Sequence, residues 1–423
     1  MGREVLRLMK VATCRKEITP KGAFFPCFLM GHAIRTEAAE GIMDPLWATA
    51  LVLQIQEVFL IWITVELIGL ERNYTEEIKQ VLSDRYHIPV QQMTICFIHT
   101  HSAPEYQEHS MMGGSGAVPG YMDFVRQQIL AAVDECFSGE LTEVTVWSKT
   151  VEISGCYGNR NGKDAPADKR VTTLVFRSAE GVVAGIGSFA CHSTVLGPQN
   201  RLVSSDLAGF VARELEKQWG VYPLIMVGAA GDMSNRLFRQ GNDKAELERV
   251  GTEMMKQVFD EKKEIRLQVT KAEISTYRFS EIFYLNPESK KQQYDSIKEK
   301  IENARNFDEK KVYSSALAVV KSRMSNDSFS LDLVCRYIDM GDLKVLTVPA
   351  ELFSRFGMRL KQEMGGKCPI CWCYCDYSAG YLGNKEDYGN SFETACSDIP
   401  SGTTERIVEE MSLFIKEHLK KSI

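Results

Sequence analysis

The 423-residue sequence has no apolar run long enough to cross a bilayer. Its longest, Val58 to Val65, is closed by Glu66, well short of the roughly 20 residues a spanning helix needs. The amino-terminal residues contain no apolar h-region, which predicts a chain that carries no signal peptide. Basic charge is not in excess either. Lys and Arg number 50 against 56 Asp and Glu, a net charge of −6, so the cationic surface that a nucleic-acid backbone requires is missing. The Lys-rich runs at 290–300 and 416–421 are interrupted by acidic or polar residues and read as solvated helix faces. There is no internal repeat, no low-complexity segment and no Pro/Gly/Ser-rich linker. Histidine is scarce, with seven residues in all. The 12 cysteines, without an export signal, predict reduced thiols in the cytoplasm and not a disulfide framework.

What is present suits a large folded unit. Hydrophobic residues make up 44% and charged residues 25%, enough apolar side chain for a sizeable core. Ala48 to Leu53 and Val58 to Glu66 read as two β-strands joined by a tight polar turn. Residues 73–86 and 121–137 have helical spacing of apolar residues, and Met93 to Ile98 is a strand ending at His99. Val171–Phe176 and Val182–Phe189 pair across the turn at 178–181. Asp206 opens a helix as N-cap or first-turn acid, and Leu224 to Val227 is a strand ending in a glycine-containing turn. A helix over 242–258 follows, then alternation over 265–283, then one Lys/Glu-rich helical arm over 292–324. Strands at 331–337, 343–348 and 369–375 and helices at 354–364 and 402–420 complete the chain. The pattern predicts an α/β fold, with mixed β-sheets flanked by helices, in a single large catalytic domain spanning 1–423.

Few residues are suited to chemistry. His99 and His101 form an H-x-H at the end of a strand, and positions i and i+2 of a strand share a face. That arrangement serves one metal ligand with a catalytic neighbour, two ligands, or a polar strand end bonded to the following loop. His192 follows another strand, and α/β proteins gather their sites at such ends. The turn from Gly228 to Arg236 presents Ser234 but matches neither G-x-S-x-G nor a Walker A motif. The glycine-rich stretch 112–120 reads as a flexible loop beside the site. Cys368, Cys371, Cys373 and Cys375 have spacing that suits a metal cluster, but their alternation with Trp372 and Tyr374 favours a buried strand.

Taken in order, these segments resemble the neutral/alkaline non-lysosomal ceramidase family. Residues 12–20 and Met30-Gly-His-Ala33 are similar to the family's first strand and its Met-Gly-Tyr-Ala loop. His99-Thr-His-Ser-Ala-Pro104 is similar to its His-Thr-His-Ser-Gly-Pro segment. Asn159-Arg160 with Asp168-Lys169, His192-Ser-Thr, Ser204–Gly209, Gly231-Asp-Met-Ser-Asn235, Thr347-Val-Pro-Ala-Glu351 and Gly380-Tyr381 with Tyr388 continue the resemblance over residues 11–393. It implies a Zn2+ site formed by His99, His192, Glu351 and Tyr381, with His101 and Arg160 beside it and Ser234 as a catalytic or nucleophilic serine. The implied reaction is hydrolysis of the amide bond of an N-acylated, ceramide-like substrate by metal-activated water, with His101 carrying protons and Arg160 stabilising the oxyanion. Its rival is an acyl-enzyme on Ser234. Alternative functions are a same-fold cytoplasmic hydrolase of a small polar substrate, such as an N-acyl amino acid or sugar derivative, or a non-catalytic metal-binding protein. The sequence departs from the family in lacking its C-terminal immunoglobulin-like domain, in His32 and Asn235, and in Phe392 where a tyrosine near the metal is expected.

Overall fold

The computed structural model describes residues 9–107 and 116–421. Residues 108–115, which include the first part of the glycine-rich stretch 112–120, lie outside the described residues. The hairpin of Trp47–Ile55 and Val58–Val65 is apolar on both faces, and both faces are buried. Leu51, Leu53, Leu60 and Trp62 point into one apolar layer, while Ala48, Ala50, Val52, Ile61 and Ile63 point into another. Strands with two covered faces read as continuous apolar runs for this reason.

The hairpin belongs to a nine-stranded mixed sheet. Its path runs Leu224–Val227, Val182–Phe189, Arg170–Arg177, Thr142–Glu152, Met9–Glu17, Trp47–Ile55, Val58–Val65 and Met93–Phe97, with Ile265–Leu267 also paired to Thr142–Glu152. A second sheet orders Val269–Tyr284, Ser328–Gly341, Leu343–Val348 and Cys368–Cys373. The sheets share an apolar layer in which Trp62 and Trp372 meet edge to face, their ring centroids 4.9 Å apart. Helices cover the outer faces, Arg72–Tyr86, Tyr121–Ser138, Asp206–Trp219 and Lys244–Asp260 on the first sheet and Ser354–Met364 and Thr403–Lys421 on the second. The result is a four-layer α/β/β/α arrangement, the expected α/β class with mixed sheets. Among the described residues no helix is long and apolar enough to cross a membrane.

Three expectations change in detail. The helical arm is two helices, Pro287–Glu302 and Phe307–Ser322, because Asn286 and Asn306 each cap a separate helix start. The pair is inserted between the long antiparallel strands Val269–Tyr284 and Ser328–Gly341. It has a small apolar core of its own, with Ile297, Ala316 and Val320 against Ala395 and Cys396. Asp206 heads its helix but serves more than that helix. Its backbone has φ of 52°, and its buried carboxylate accepts the N–H groups of Val195 (3.1 Å) and Leu196 (3.0 Å) besides that of Leu207. The cysteine-rich strand spans Cys368–Cys373, and its cysteines are buried in the apolar layers on either side, as small hydrophobes.

Three parallel strand pairs position the site. They are Val58–Val65 with Met93–Phe97, Val182–Phe189 with Leu224–Val227, and Leu343–Val348 with Cys368–Cys373. The loops leaving their C-terminal ends carry His99, His192, Glu351 and Tyr374.

Candidate functional site

His99 follows the strand Met93–Phe97 and His192 the strand Val182–Phe189, and an isolated parallel bridge between Thr100 and Ser193 joins the two segments. His101 N–H donates to the Ser193 carbonyl at 3.3 Å, which draws the H-x-H turn against His192. His99 has φ of 56°, a left-handed conformation that costs free energy in a non-glycine residue and is held by the surrounding bonds.

Each imidazole is fixed by a main-chain carbonyl. Nδ1 of His99 lies 2.7 Å from the Ile68 oxygen, Nδ1 of His192 lies 2.7 Å from the Ala230 oxygen, and Nδ1 of His101 lies 3.0 Å from the Gly31 oxygen. A carbonyl only accepts, so each Nδ1 carries the proton and each Nε2 is left with a lone pair. Burial holds all three rings below their usual pKa range, His192 down to about 4 and His101 well below, so they are neutral at pH 7. One ligand atom from each of His99, His101 and His192 lies within 4.8 Å of the others.

Glu351 completes the cluster. Its Oε2 lies 3.1 Å from His192 Nε2 and 3.5 Å from His99 Nε2, and it accepts the Tyr374 hydroxyl at 3.4 Å. Burial alone would favour the neutral acid; with the rings neutral, the charge that opposes this and holds the carboxyl below its usual range is that of Arg160. An ionised carboxylate therefore faces two imidazole lone pairs, acceptor against acceptor. The buried His101 Nε2 has no hydrogen-bond partner. A cation among these atoms resolves both conflicts. Nitrogen and carboxylate donors, each imidazole anchored through its other nitrogen, form the donor set that zinc prefers. The residues fit the metal.

Tyr381 and Arg160 stand beside this cluster. Residues Glu351–Leu352 and Tyr381–Leu382 form a two-stranded parallel bridge that puts Tyr381 next to Glu351, and the Tyr381 ring stacks over His192 with centroids 6.5 Å apart. Arg160 is buried. Its Nε pairs with Glu393 at 2.5 Å, and its Nη2 donates to the Gly231 carbonyl at 2.7 Å and to the Tyr381 hydroxyl at 3.3 Å. Ser234 lies in the short strand Met233–Ser234, paired with Gly158–Asn159, and its Oγ accepts the Arg236 N–H at 3.1 Å. Among the described residues no histidine hydrogen-bonds to Ser234 Oγ. Phe392 packs edge-on against Tyr381 at 5.9 Å.

All seven of these candidates line or abut one cavity of about 590 Å³ at the C-terminal strand ends. Its walls mix apolar groups such as Ile68, Val312, Val319 and Ile399 with charged ones. The helix Phe307–Ser322 supplies part of the wall, which gives the former helical arm a place in the site. His32 is there too, its ring 5.1 Å from that of His101. Neither Tyr374 nor Glu393 stood out in the sequence, because Tyr374 follows a strand of the second sheet and Glu393 sits in the short helix Phe392–Ala395, both far along the chain from the histidines.

No protein-family model matches the chain. Neutral ceramidases of Drosophila pseudoobscura pseudoobscura and Drosophila melanogaster are each 28% identical over 231 residues, half of this chain. The match spans only 32% of the length of these curated relatives. The crystal structure of neutral ceramidase from Pseudomonas aeruginosa superposes with a TM-score of 0.74 at 16% identity, over 98% of this chain and 75% of that one. A ceramidase complexed with C2 has the same TM-score at 15% identity, over 98% and 76%. The four-layer fold is that of these two solved structures, and the sequence matches, to the Drosophila proteins, are also to neutral ceramidases. The chain is related to the neutral ceramidase family.

Proposed function

We propose that this chain hydrolyses the amide bond of an N-acylated, lipid-like substrate at a zinc ion held by His99, His192 and Glu351, with Tyr381 alongside. The observation that carries the reading is the convergence of three carbonyl-anchored imidazoles and an ionised, buried carboxylate at the head of a cavity. Zinc at such a site supplies Lewis acidity and lowers the pKa of water towards neutrality.

The chain's own groups do the rest. His101 Nε2 accepts a proton from the attacking water and returns it to the departing amine nitrogen, its Nδ1–H staying on the Gly31 carbonyl. The Arg160 charge, held by Glu393, stabilises negative charge developing on the substrate carbonyl oxygen. Ser234 shapes the wall beside the reacting carbonyl. The acyl-enzyme alternative has less support, since no base meets Ser234 Oγ among the described residues. The relation to neutral ceramidases supports the substrate class.

The test is elemental analysis of the purified protein together with turnover of a fluorogenic N-acyl amide. The expected result is about one zinc per chain, with activity lost on chelation and metal lost in His99→Ala and Glu351→Ala. Normal metal content in both variants would sink the assignment. A second reading makes His101 a direct ligand, favoured by its Nε2 lying in ligand range of the other two imidazoles. His101→Ala separates the two. Retained zinc with a changed pH profile identifies a proton carrier, and lost zinc identifies a ligand.

A further inference from the structure

The two sheets share an apolar layer, and they are also joined at one pair of edges. Met93–Phe97 ends the path of the first sheet and Cys368–Cys373 ends that of the second. Beyond Cys373 the chain meets the first edge, where an isolated antiparallel bridge pairs Cys375 with Cys96. Phe97 N–H donates to the Tyr374 carbonyl at 3.0 Å, and Asp376 N–H donates to the Ile95 carbonyl at 2.5 Å. The Asp376 carboxylate accepts Ile95 N–H in return, at 3.1 Å. The main-chain bonds flank the two cysteines and none runs between them. Cys96 and Cys375 are therefore a non-hydrogen-bonded pair, the kind whose side chains stand closer together.

Their sulfurs lie 3.0 Å apart, about 1 Å beyond a disulfide bond. The Cα separation of such a pair, about 4.5 Å, falls in the range that disulfides span, so the main chain need not move to join them. Both residues are buried in the apolar layer. Each lies at a sheet edge held here by a single bridge, and local opening of that bridge is the route by which a small molecule reaches the sulfurs. The bridge also adjoins the candidate site. His99 follows Cys96 by three residues. Tyr374, immediately before Cys375, has its hydroxyl on Glu351 and its ring centroid 4.4 Å from that of His99.

We infer that Cys96 and Cys375 are a redox pair, converted by a small disulfide such as glutathione disulfide into a covalent tie between the two sheet edges. The thiolate of one cysteine attacks the small disulfide and expels one of its thiols. The second protein thiolate attacks the resulting mixed disulfide at the protein sulfur and expels the other. Two electrons and two protons leave with the two released thiols, and an excess of the reduced thiol runs the exchange backwards. A single exchangeable link of this kind differs from the disulfide framework of small secreted domains.

The experiment is peptide mapping by mass spectrometry of the full chain, equilibrated with glutathione mixtures from fully reduced to fully oxidised, then acid-quenched and alkylated. Each mixture is applied to the folded protein and to protein refolding from urea, so that access to the buried sulfurs does not decide the outcome. The expected result is a peptide carrying Cys96 linked to one carrying Cys375, with the loss of two hydrogens, and its disappearance on return to reduced glutathione. The two positions are 279 residues apart, so the oxidised chain should unfold at higher urea than the reduced one. Cys96→Ala and Cys375→Ala should each abolish the link and the urea shift. Recovery of both cysteines as alkylated thiols in every mixture would overturn the inference. So would persistent mixed disulfides with glutathione, or a link from either cysteine to a different one. The mapping uses the unaltered chain, so it decides the matter even if a variant fails to fold.

Discussion

A single methyl group added at Gly231 tests how the candidate site is positioned. A Cβ there would lie 2.4 Å from the Glu351 carbonyl oxygen, 2.9 Å from its carbon and 3.0 Å from the Leu352 carbon. These are main-chain atoms, which cannot swing aside as the end of a side chain can. Gly231 N–H also donates to the Leu352 carbonyl at 2.9 Å, so the two segments are already drawn together. Restoring ordinary contact in Gly231→Ala requires a shift of about 1 Å in the Glu351–Leu352 bridge or in the Gly231 turn. Either movement alters the spacing of Glu351 and His192, since the first shifts Glu351 itself and the second shifts the Ala230 carbonyl that holds His192; the second also strains the bond from Arg160 Nη2 to the Gly231 carbonyl. Overpacking of this kind costs about 1–3 kcal/mol of stability. A misplacement of about 1 Å at a reacting centre costs on the order of a hundredfold in rate. The assays are urea unfolding, bound zinc per chain and amide turnover, with Gly139→Ala as control, since nothing lies within 4 Å of a Cβ at that position. Wild-type stability and wild-type zinc content in Gly231→Ala would refute the reasoning.

Two further outcomes follow from the core. Burial pushes the Glu66 carboxyl up to about 8 from an ordinary value of 4.5, only partly opposed by the Tyr222 hydroxyl at 2.6 Å. The folded chain then binds a proton that the unfolded chain has lost, so this group's contribution to stability declines as pH rises from about 4.5 through about 8. Glu66→Gln should flatten the urea midpoint over that window, and parallel pH profiles for the two proteins would contradict it. Trp372→Ala should cost about 3–5 kcal/mol by opening a void against Trp62 between the sheets, and a loss below about 1 kcal/mol would show that the layer is not packed as described.

Much of the fold was legible in the sequence because both sheets are built from short β-rich runs with strong local signals. The hairpin 47–65, the strand before His99 and the helix Ser354–Met364 emerge where apolar period and length place them. The break in the inserted arm was missed because Lys/Glu-rich helices on either side mask two asparagine caps. For the site, local spacing reached only as far as His99, His101 and His192, and it left metal binding undecided. Glu351 and Tyr381 came from resemblance alone. Their partnership is a two-residue parallel bridge between segments thirty residues apart, which no periodicity announces. The partner of Arg160, Glu393, is equally silent, since a lone glutamate at a short helix start has a solvated surface as its ordinary meaning. The role of Asp206 was half legible. Its place at a helix start was visible, but not the second loop that it ties down.

The three carbonyls that hold the imidazoles have a consequence for how this protein tolerates change. Had carboxylate side chains done the anchoring, one substitution at each would release a ring and let its proton move to the other nitrogen. Here the anchors belong to Ile68, Ala230 and Gly31, and every residue type offers the same oxygen. What must persist is the path of the main chain. At Gly31 that path admits no side chain, because its φ is 109° and a Cβ would fall 2.4 Å from the His101 ring. The proton arrangement of the site is thus inherited from the backbone, and most of the sequence around it is free to drift without disturbing which nitrogen is left to bind.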